Sequence, residues 1–180
     1  MAPMAVVRSA RAEDSRRLAE IHVTSWREAY DGLLPPEFLR ALSVESRHEW
    51  WSRRLNALEN GGAVLIVSDS EMESPEGFAF IGPCSVTEGE VYAIYVDPRR
   101  WRVGLGSELL AAAERTLADG GFGQAILWVL EGNKRGRSFY ETQGWTADGA
   151  LKIEEIGGVQ VTELRYRKQL GGSGDQLRAS

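Results

Sequence analysis

Hydrophobic residues along the chain fall into alternating helical and extended spacings, with no internal repeat. A short apolar run at 4–8 is the first strand candidate. From 13 to 30 the spacing becomes helical, with Leu18, Ile21, Ser25 and Ala29 on one face and His22 and Trp26 four apart beside it. Asp31-Gly32 closes this helix, and Leu33-Leu34-Pro35-Pro36 turns the chain into a second helical region. Within that region Ser43 is placed to cap a helix reaching about residue 58, with Val44, Trp51, Leu55 and Leu58 inward. Asn60-Gly61-Gly62 breaks it, and the period then shortens. Residues 63–68 and 77–82 read as strands joined by a polar hairpin loop over 71–76, and Thr87-Glu88-Gly89 turns into a third strand over 91–96. On that strand Val91, Ala93 and Tyr95 share one face and Tyr92, Ile94 and Val96 the other. Both faces are largely apolar, which predicts a central strand covered on both sides.

A helix over 104–119 follows, with Leu105, Leu109, Ala113 and Leu117 as its buried stripe. Gly120-Gly121 stops it before a second fully buried strand at 124–130, and strand, crossover helix and strand predict a parallel unit. Asn133 caps a shorter helix to 143, ended by Gly144; 145–156 and 159–168 form an antiparallel pair turning at Gly157-Gly158. We therefore expect one domain over 1–170 and a disordered Gly/Ser-rich tail over 171–180.

Composition narrows the class. A formal charge of −5 argues against a general nucleic-acid binder, which leaves a basic footprint. No apolar run approaches a membrane span and the N-terminus lacks a signal-peptide core, so the expected location is the cytoplasm. The single cysteine, Cys84, excludes an internal disulfide and a Cys-rich metal site and reads as a buried or half-buried residue beside a turn. His22 and His48 lie too far apart in sequence to argue for a metal, and none is expected.

One stretch carries ligand chemistry. After Asp97-Pro98 come Arg99, Arg100 and Arg102, then Gly104-Leu105-Gly106-Ser107 at the start of a helix. Glycines allow close backbone approach, the first helical N–H groups lack partners, and dipole and arginines favour an anion, so the loop is a phosphate cradle. A nucleotide P-loop needs Lys-Ser/Thr after its last glycine, but Ser107-Glu108 follows here. A dinucleotide fingerprint needs a third small residue where Leu109 stands.

The loop resembles instead the coenzyme A loop of the GNAT superfamily of N-acetyltransferases, Gln/Arg-x-x-Gly-x-Gly/Ala after a central strand. Gly104 and Gly106 match; Trp101 stands where Gln or Arg is usual, and Arg102 is placed to supply the charge. A second segment, LEGNKRGRSFYETQGW, is similar to the family's Asn-x-x-Ala-x-x-Phe-Tyr-x-x-x-Gly-Phe through Asn133, Gly136, Phe139, Tyr140, Gly144 and Trp145. The order strand, two helices, three strands, helix, strand, helix, two strands agrees with that fold over 4–168. The resemblance implies an α/β chain (an α+β mixed sheet) whose central strands splay at a cofactor slot. It implies acetyl-CoA as cofactor and transfer of the acetyl group to a primary amine. The loop Arg102, Val103, Gly104, Leu105, Gly106 and Ser107 would hold the phosphates. The backbone of Ile94, Tyr95 and Val96, with a bulge at 94–96, would take the pantetheine and polarise the thioester. Asn133 would meet the pantetheine or phosphate arm, Lys134 or Arg135 the 3′-phosphate, and Tyr140 would protonate the departing thiolate.

An amine of lysine type has a pKa near 10.4, so only about one molecule in 2,500 is nucleophilic at pH 7, a cost of roughly 4.6 kcal/mol. A base is therefore expected; the resemblance implies a carboxylate on or next to the central strand, which makes Glu90 the candidate, with Glu88 behind it. Trp26 and Tyr30, in a dense aromatic and charged group, are candidates for the acceptor pocket. The acceptor class stays open between small amines and a protein N-terminus or lysine, and the final strands are able to pair two copies. The alternatives are a coenzyme A-binding module without turnover and transfer of a longer acyl group.

Overall fold

The computed structural model describes residues 5–58, 61–69 and 73–171. In chain order its elements are β1 (Val6–Ser9), α1 (Ser15–Ala29), α2 (Pro36–Ala41), α3 (Val44–Asn56), β2 (Ala63–Ser68), β3 (Gly77–Pro83), β4 (Glu88–Val96), α4 (Leu105–Asp119), β5 (Gln124–Leu130), α5 (Lys134–Thr142), β6 (Thr146–Ile156) and β7 (Val159–Gln169). The strands form one sheet in the order β1-β2-β3-β4-β5-β7-β6. The β4–β5 pair is parallel, as a strand-helix-strand unit requires, and the others are antiparallel. No helix among the described residues is long and apolar enough to cross a membrane. The expected tail beyond residue 171 and part of the loop expected over 71–76 lie outside the described residues.

Two apolar layers sandwich the sheet. On one face the α4 stripe Leu105, Leu109, Ala113 and Leu117 is buried as its spacing predicts, against Val67, Ile81 and Leu127. On the other, Leu18 and Ile21 of α1 and Trp51 of α3 close over Ile66 and Phe78. β4, fourth of seven strands, contributes to both layers, which is why neither of its faces is polar.

Four expectations are corrected. The second helical region is two helices: Leu42 is extended (ψ 124°), and Ser43 caps α3 by accepting from the Ser46 N–H at 3.2 Å. β4 begins at Glu88, because the turn is made earlier, by the Cys84 and Ser85 N–H groups donating to the Glu88 carbonyl. That turn lifts Cys84 into solvent, so it is exposed and not buried or half-buried. The bulge lies at Tyr92, not at 94–96: Phe80 pairs with Ala93 and Ile81 with Val91, leaving Tyr92 without a partner on β3. Beyond the bulge the alternation inverts. Val91 therefore packs with Ile94 and Val96 toward α4, while Ala93 and Tyr95 face α1.

Beside β4, α1 buries a histidine. His22 is 9% exposed and set among Trp26, Trp51, Phe78 and Tyr95, with ring centroids 5.2–6.1 Å away. Among the described residues its Nδ1 has no partner. Burial first, and Arg47 second, lower its pKa from 6.5 to about 3. The neutral ring is thus favoured by folding, and this stability is present above pH 6.5 and is lost as pH falls toward 3. Between pH 6 and 4.5 the unfolding free energy should fall by roughly 2 kcal/mol from this residue alone, at up to about 1.36 kcal/mol per pH unit. Urea melts of His22→Phe across that range should show a flatter dependence; parallel curves for the two proteins would refute it.

Candidate active site

The sheet opens where the two central strands part. β4 and β5 pair only at Glu88–Gln124, Gly89–Ala125 and Glu90–Ile126, although β5 stays paired with β7 along its whole length. From Val91 onward β4 has backbone edge facing a cleft of about 340 Å³. A pocket of that size suits a small organic ligand.

At one end of the cleft stands the glycine loop. Gly104 has φ +92° and open space where a Cβ would sit, so backbone conformation is what selects glycine there. Arg102 also has a positive φ, +67°. The Gly104 carbonyl accepts from the N–H groups of Ser107 and Glu108, which turns the Ser107 amide into the helix. The amides of Gly104, Leu105 and Gly106 have no protein acceptor among the described residues and lie at the positive end of α4. Leu105 sends its side chain into the core, and Val103 is exposed, its side chain outside the cleft lining. At Gly106 a Cβ would meet the Phe139 ring of α5 at 3.4 Å, an ordinary van der Waals contact, so packing does not by itself demand glycine there.

Across the slot, α5 carries Asn133 and Tyr140, both on the cleft wall. Asn133 caps the helix, its Oδ1 accepting from the Gly136 N–H at 2.9 Å. The Tyr140 ring packs beside Phe139, Trp145 and Tyr166. Its hydroxyl makes no hydrogen bond among the described residues, and burial, with Tyr95 adding, raises its pKa above the ordinary phenol value. The group is therefore protonated throughout the physiological range.

The α1 face supplies the remaining candidates. Tyr30 lines the cleft, its hydroxyl 3.4 Å from that of Tyr95. Trp26 stands behind, donating from Nε1 to the Tyr95 hydroxyl at 2.9 Å. Ile94, Tyr95 and Val96 line the slot as expected, but the Val96 carbonyl is already engaged by Trp101 Nε1 at 2.8 Å and Ser25 Oγ at 3.1 Å. Glu90 is the last residue of β4 paired to β5, so it sits at the fork. Its carboxyl pKa is raised, chiefly by burial, with Glu163 adding and Cys84 and Lys152 opposing.

Tyr92 and Trp128 are among the cleft residues that the sequence reading did not place there, and Trp101 was read only as a departure from the motif. Tyr92 reaches it through the bulge. Trp128 belongs to an apolar run that shows burial and not direction. Trp101 is joined by Arg135, whose guanidinium lies 3.5 Å from the centre of the indole ring, a contact between residues 34 apart in sequence that no local pattern announces. Lys134 is exposed, while Arg137 is half-buried and donates to the Glu131 carbonyl and the Tyr166 hydroxyl. Among the described residues no cluster of potential ligands could hold a metal ion.

Comparison with known proteins agrees with this geometry. The chain is 34% identical over 167 residues to the uncharacterized N-acetyltransferase YuaI of Bacillus subtilis, covering 89% of this chain and 91% of that one. It superposes on a GCN5-related N-acetyltransferase of Rhodopseudomonas palustris with a TM-score of 0.74 at 20% identity, covering 94% and 98% of the two chains. It superposes on the PaiA N-acetyltransferase of Thermoplasma acidophilum, solved with coenzyme A, with a TM-score of 0.67 at 23% identity over 92% and 99%. Residues 9–145 match the model of one acetyltransferase family, and by that match the chain belongs to the Acetyltransferase (GNAT) family.

Proposed function

We propose that the protein transfers an acetyl group from acetyl-CoA to a primary amine by direct attack, with Tyr140 as general acid and Glu90 as general base. The observation that carries this reading is the parting of β4 from β5 after Glu90, beside the free amides of α4, with Tyr140 lining the same cleft. The groups present fit the donor. Three unpartnered amides at a helix N-terminus suit a diphosphate, and the strand edge beyond the fork suits an extended amide-containing arm.

When bound, acetyl-CoA supplies an acetyl group activated as a thioester. The Gly104, Leu105 and Gly106 amides hold its phosphates, and the strand edge from Val91 aligns the arm toward Tyr140. Tyr30 and Tyr95 form the wall against which the amine is oriented, with Trp26 fixing the Tyr95 hydroxyl. Glu90, directly or through water, takes the ammonium proton and so frees the lone pair that forms the C–N bond, and the proton that the attacking nitrogen then sheds leaves to solvent. Tyr140 gives its proton to sulfur as the C–S bond breaks, and solvent exchange restores both groups. The raised carboxyl pKa of Glu90 makes it a better base than an ordinary glutamate.

Thiol release from acetyl-CoA with a panel of primary amines tests the activity. Heat of binding with no thiol released by any amine would instead describe a coenzyme A-binding module without turnover. For the base, Glu90→Gln should lower kcat/KM for the amine by roughly 10- to 100-fold at pH 7, converging on wild type near the amine's own pKa. A constant ratio across pH would remove Glu90 from proton transfer.

A further inference from the structure

Beside Glu90 the sheet carries a cation site whose occupant is a primary ammonium of the chain itself. Trp128 of β5 pairs with Arg165 of β7, Leu130 pairs with Glu163, and Glu163 pairs in turn with Lys152 of β6. Trp128, Glu163 and Lys152 therefore rise from one face of the sheet, and Glu90, paired with Ile126, stands on that face too. Trp128 lines the cleft. Lys152 Nζ lies 4.9 Å from the centre of the Trp128 ring, 2.7 Å from Glu163 Oε2 and 3.0 Å from Glu154 Oε1. Burial disfavours charge on Lys152, but the two carboxylates outweigh it and raise the pKa, so the group is an ammonium. An indole face with a carboxylate beside it is the chemistry that holds a cation.

The occupant is exchangeable. Glu163 Oε2 is buried and makes no aligned hydrogen bond among the described residues, while Glu154, the more exposed acid, gives Lys152 a second partner. Arg165, the other cation near the ring at 5.7 Å, is committed to Asp148 at 2.8 Å. Glu163 is also felt across the acceptor wall: after burial, its charge adds to the raised pKa values of Glu90, Tyr30 and Tyr95.

We infer that Trp128 and Glu163 form a cation subsite of the acceptor pocket, and that the acceptor is a primary amine carrying a second positive charge, which displaces Lys152 from Glu163. The inference rests on the acetyl transfer proposed above and names its acceptor class. One nitrogen of such an amine is presented to Glu90 and the thioester. The other lies as an ammonium between indole and carboxylate while Lys152 moves to Glu154, so neither acid loses its counter-charge. An uncharged tail would break the Lys152–Glu163 pair and put nothing in its place, which selects against it.

Initial rates at saturating acetyl-CoA with butylamine and with diaminobutane, which differ by one ammonium, test this. Wild type should favour diaminobutane in kcat/KM by about tenfold or more. Glu163→Gln should raise KM for diaminobutane and erase most of that preference. Lys152→Met, which removes the tethered competitor, should lower KM for diaminobutane several-fold. That sign separates a displaced occupant from a purely structural ion pair, whose loss would not tighten binding. A wild-type preference for butylamine, a higher KM for diaminobutane in Lys152→Met, or equal shifts for the two amines in Glu163→Gln would overturn the subsite and leave acetyl transfer standing. Wild-type protein that releases no thiol with these or any other amine would remove acetyl transfer, and the subsite with it.

Discussion

Replacing Tyr140 with phenylalanine is expected to lower the rate of acetyl transfer by about 100-fold or more, the scale for loss of a positioned general acid. The variant isolates one atom. The hydroxyl makes no hydrogen bond among the described residues, so its removal breaks no protein contact, and the ring keeps its neighbours Phe139, Trp145 and Tyr166. Melting temperature should therefore stay within about one degree of wild type. The raised pKa of Tyr140 fixes the form of the pH profile as well. Its acid form is full across the working range, so the deficit in Tyr140→Phe should be nearly constant between pH 6 and 9, with any pH-dependent limb arising from Glu90 and the amine. Thiol release after rapid mixing with saturating acetyl-CoA and amine measures the chemical step. A rate within twofold of wild type at every pH would leave Tyr140 as a wall residue only.

The parts of this molecule that a sequence displays are those written in local periodicity. The α4 stripe from Leu105 to Leu117, the Ser43 and Asn133 caps and the run Gln124–Leu130 each depend on neighbours within one element, and each has the expected place. Tyr140 and the glycine loop were legible through motif spacing. The register of β4 was not. Its residues are apolar on both faces, so any phase satisfies the burial pattern, and only the pairing of Phe80 and Ile81 on β3 fixes the extra residue at Tyr92. The exposure of Cys84 follows from that hairpin's turn, which is equally a property of two strands. The contact of Arg135 with Trp101 was not legible, because Trp101 belongs to a loop that meets α5 only in the folded chain.

Asp97→Asn is expected to destabilise the fold by roughly 3 kcal/mol, near the lower end of the range for breaking a buried ion pair. Asp97 is 3% exposed at the end of β4. Its Oδ2 accepts from Arg17 Nη2 at 2.6 Å and Arg99 Nη2 at 2.7 Å, and its Oδ1 from the Arg99 N–H and Nε, both at 3.0 Å. Arg17 comes from α1 and also binds the Pro75 carbonyl, so one carboxylate ties the first helix to the turn that leads into the glycine loop. An amide of the same shape would present an N–H₂ group to a donor and leave Arg17, 22% exposed, without its full counter-charge. Hydrogen bonds from Arg99, then Arg17, hold the carboxyl well below the usual carboxylate range against the cost of burial. A depressed pKa gives stability that is present above the unfolded value near 3.9 and is lost as pH falls through the folded one. The gap between wild type and Asp97→Asn should therefore be full at pH 7 and narrow below about pH 4. Because Pro98, Arg99 and Arg100 form the turn that this side chain caps, the variant should also bind acetyl-CoA several-fold more weakly at temperatures where it remains folded. Urea melts at pH 7 and pH 3.5, with donor titrations on the folded variant, check both parts. A variant as stable as wild type at pH 7 would show that Glu20 and solvent alone compensate Arg17 and that the tie to α1 contributes little.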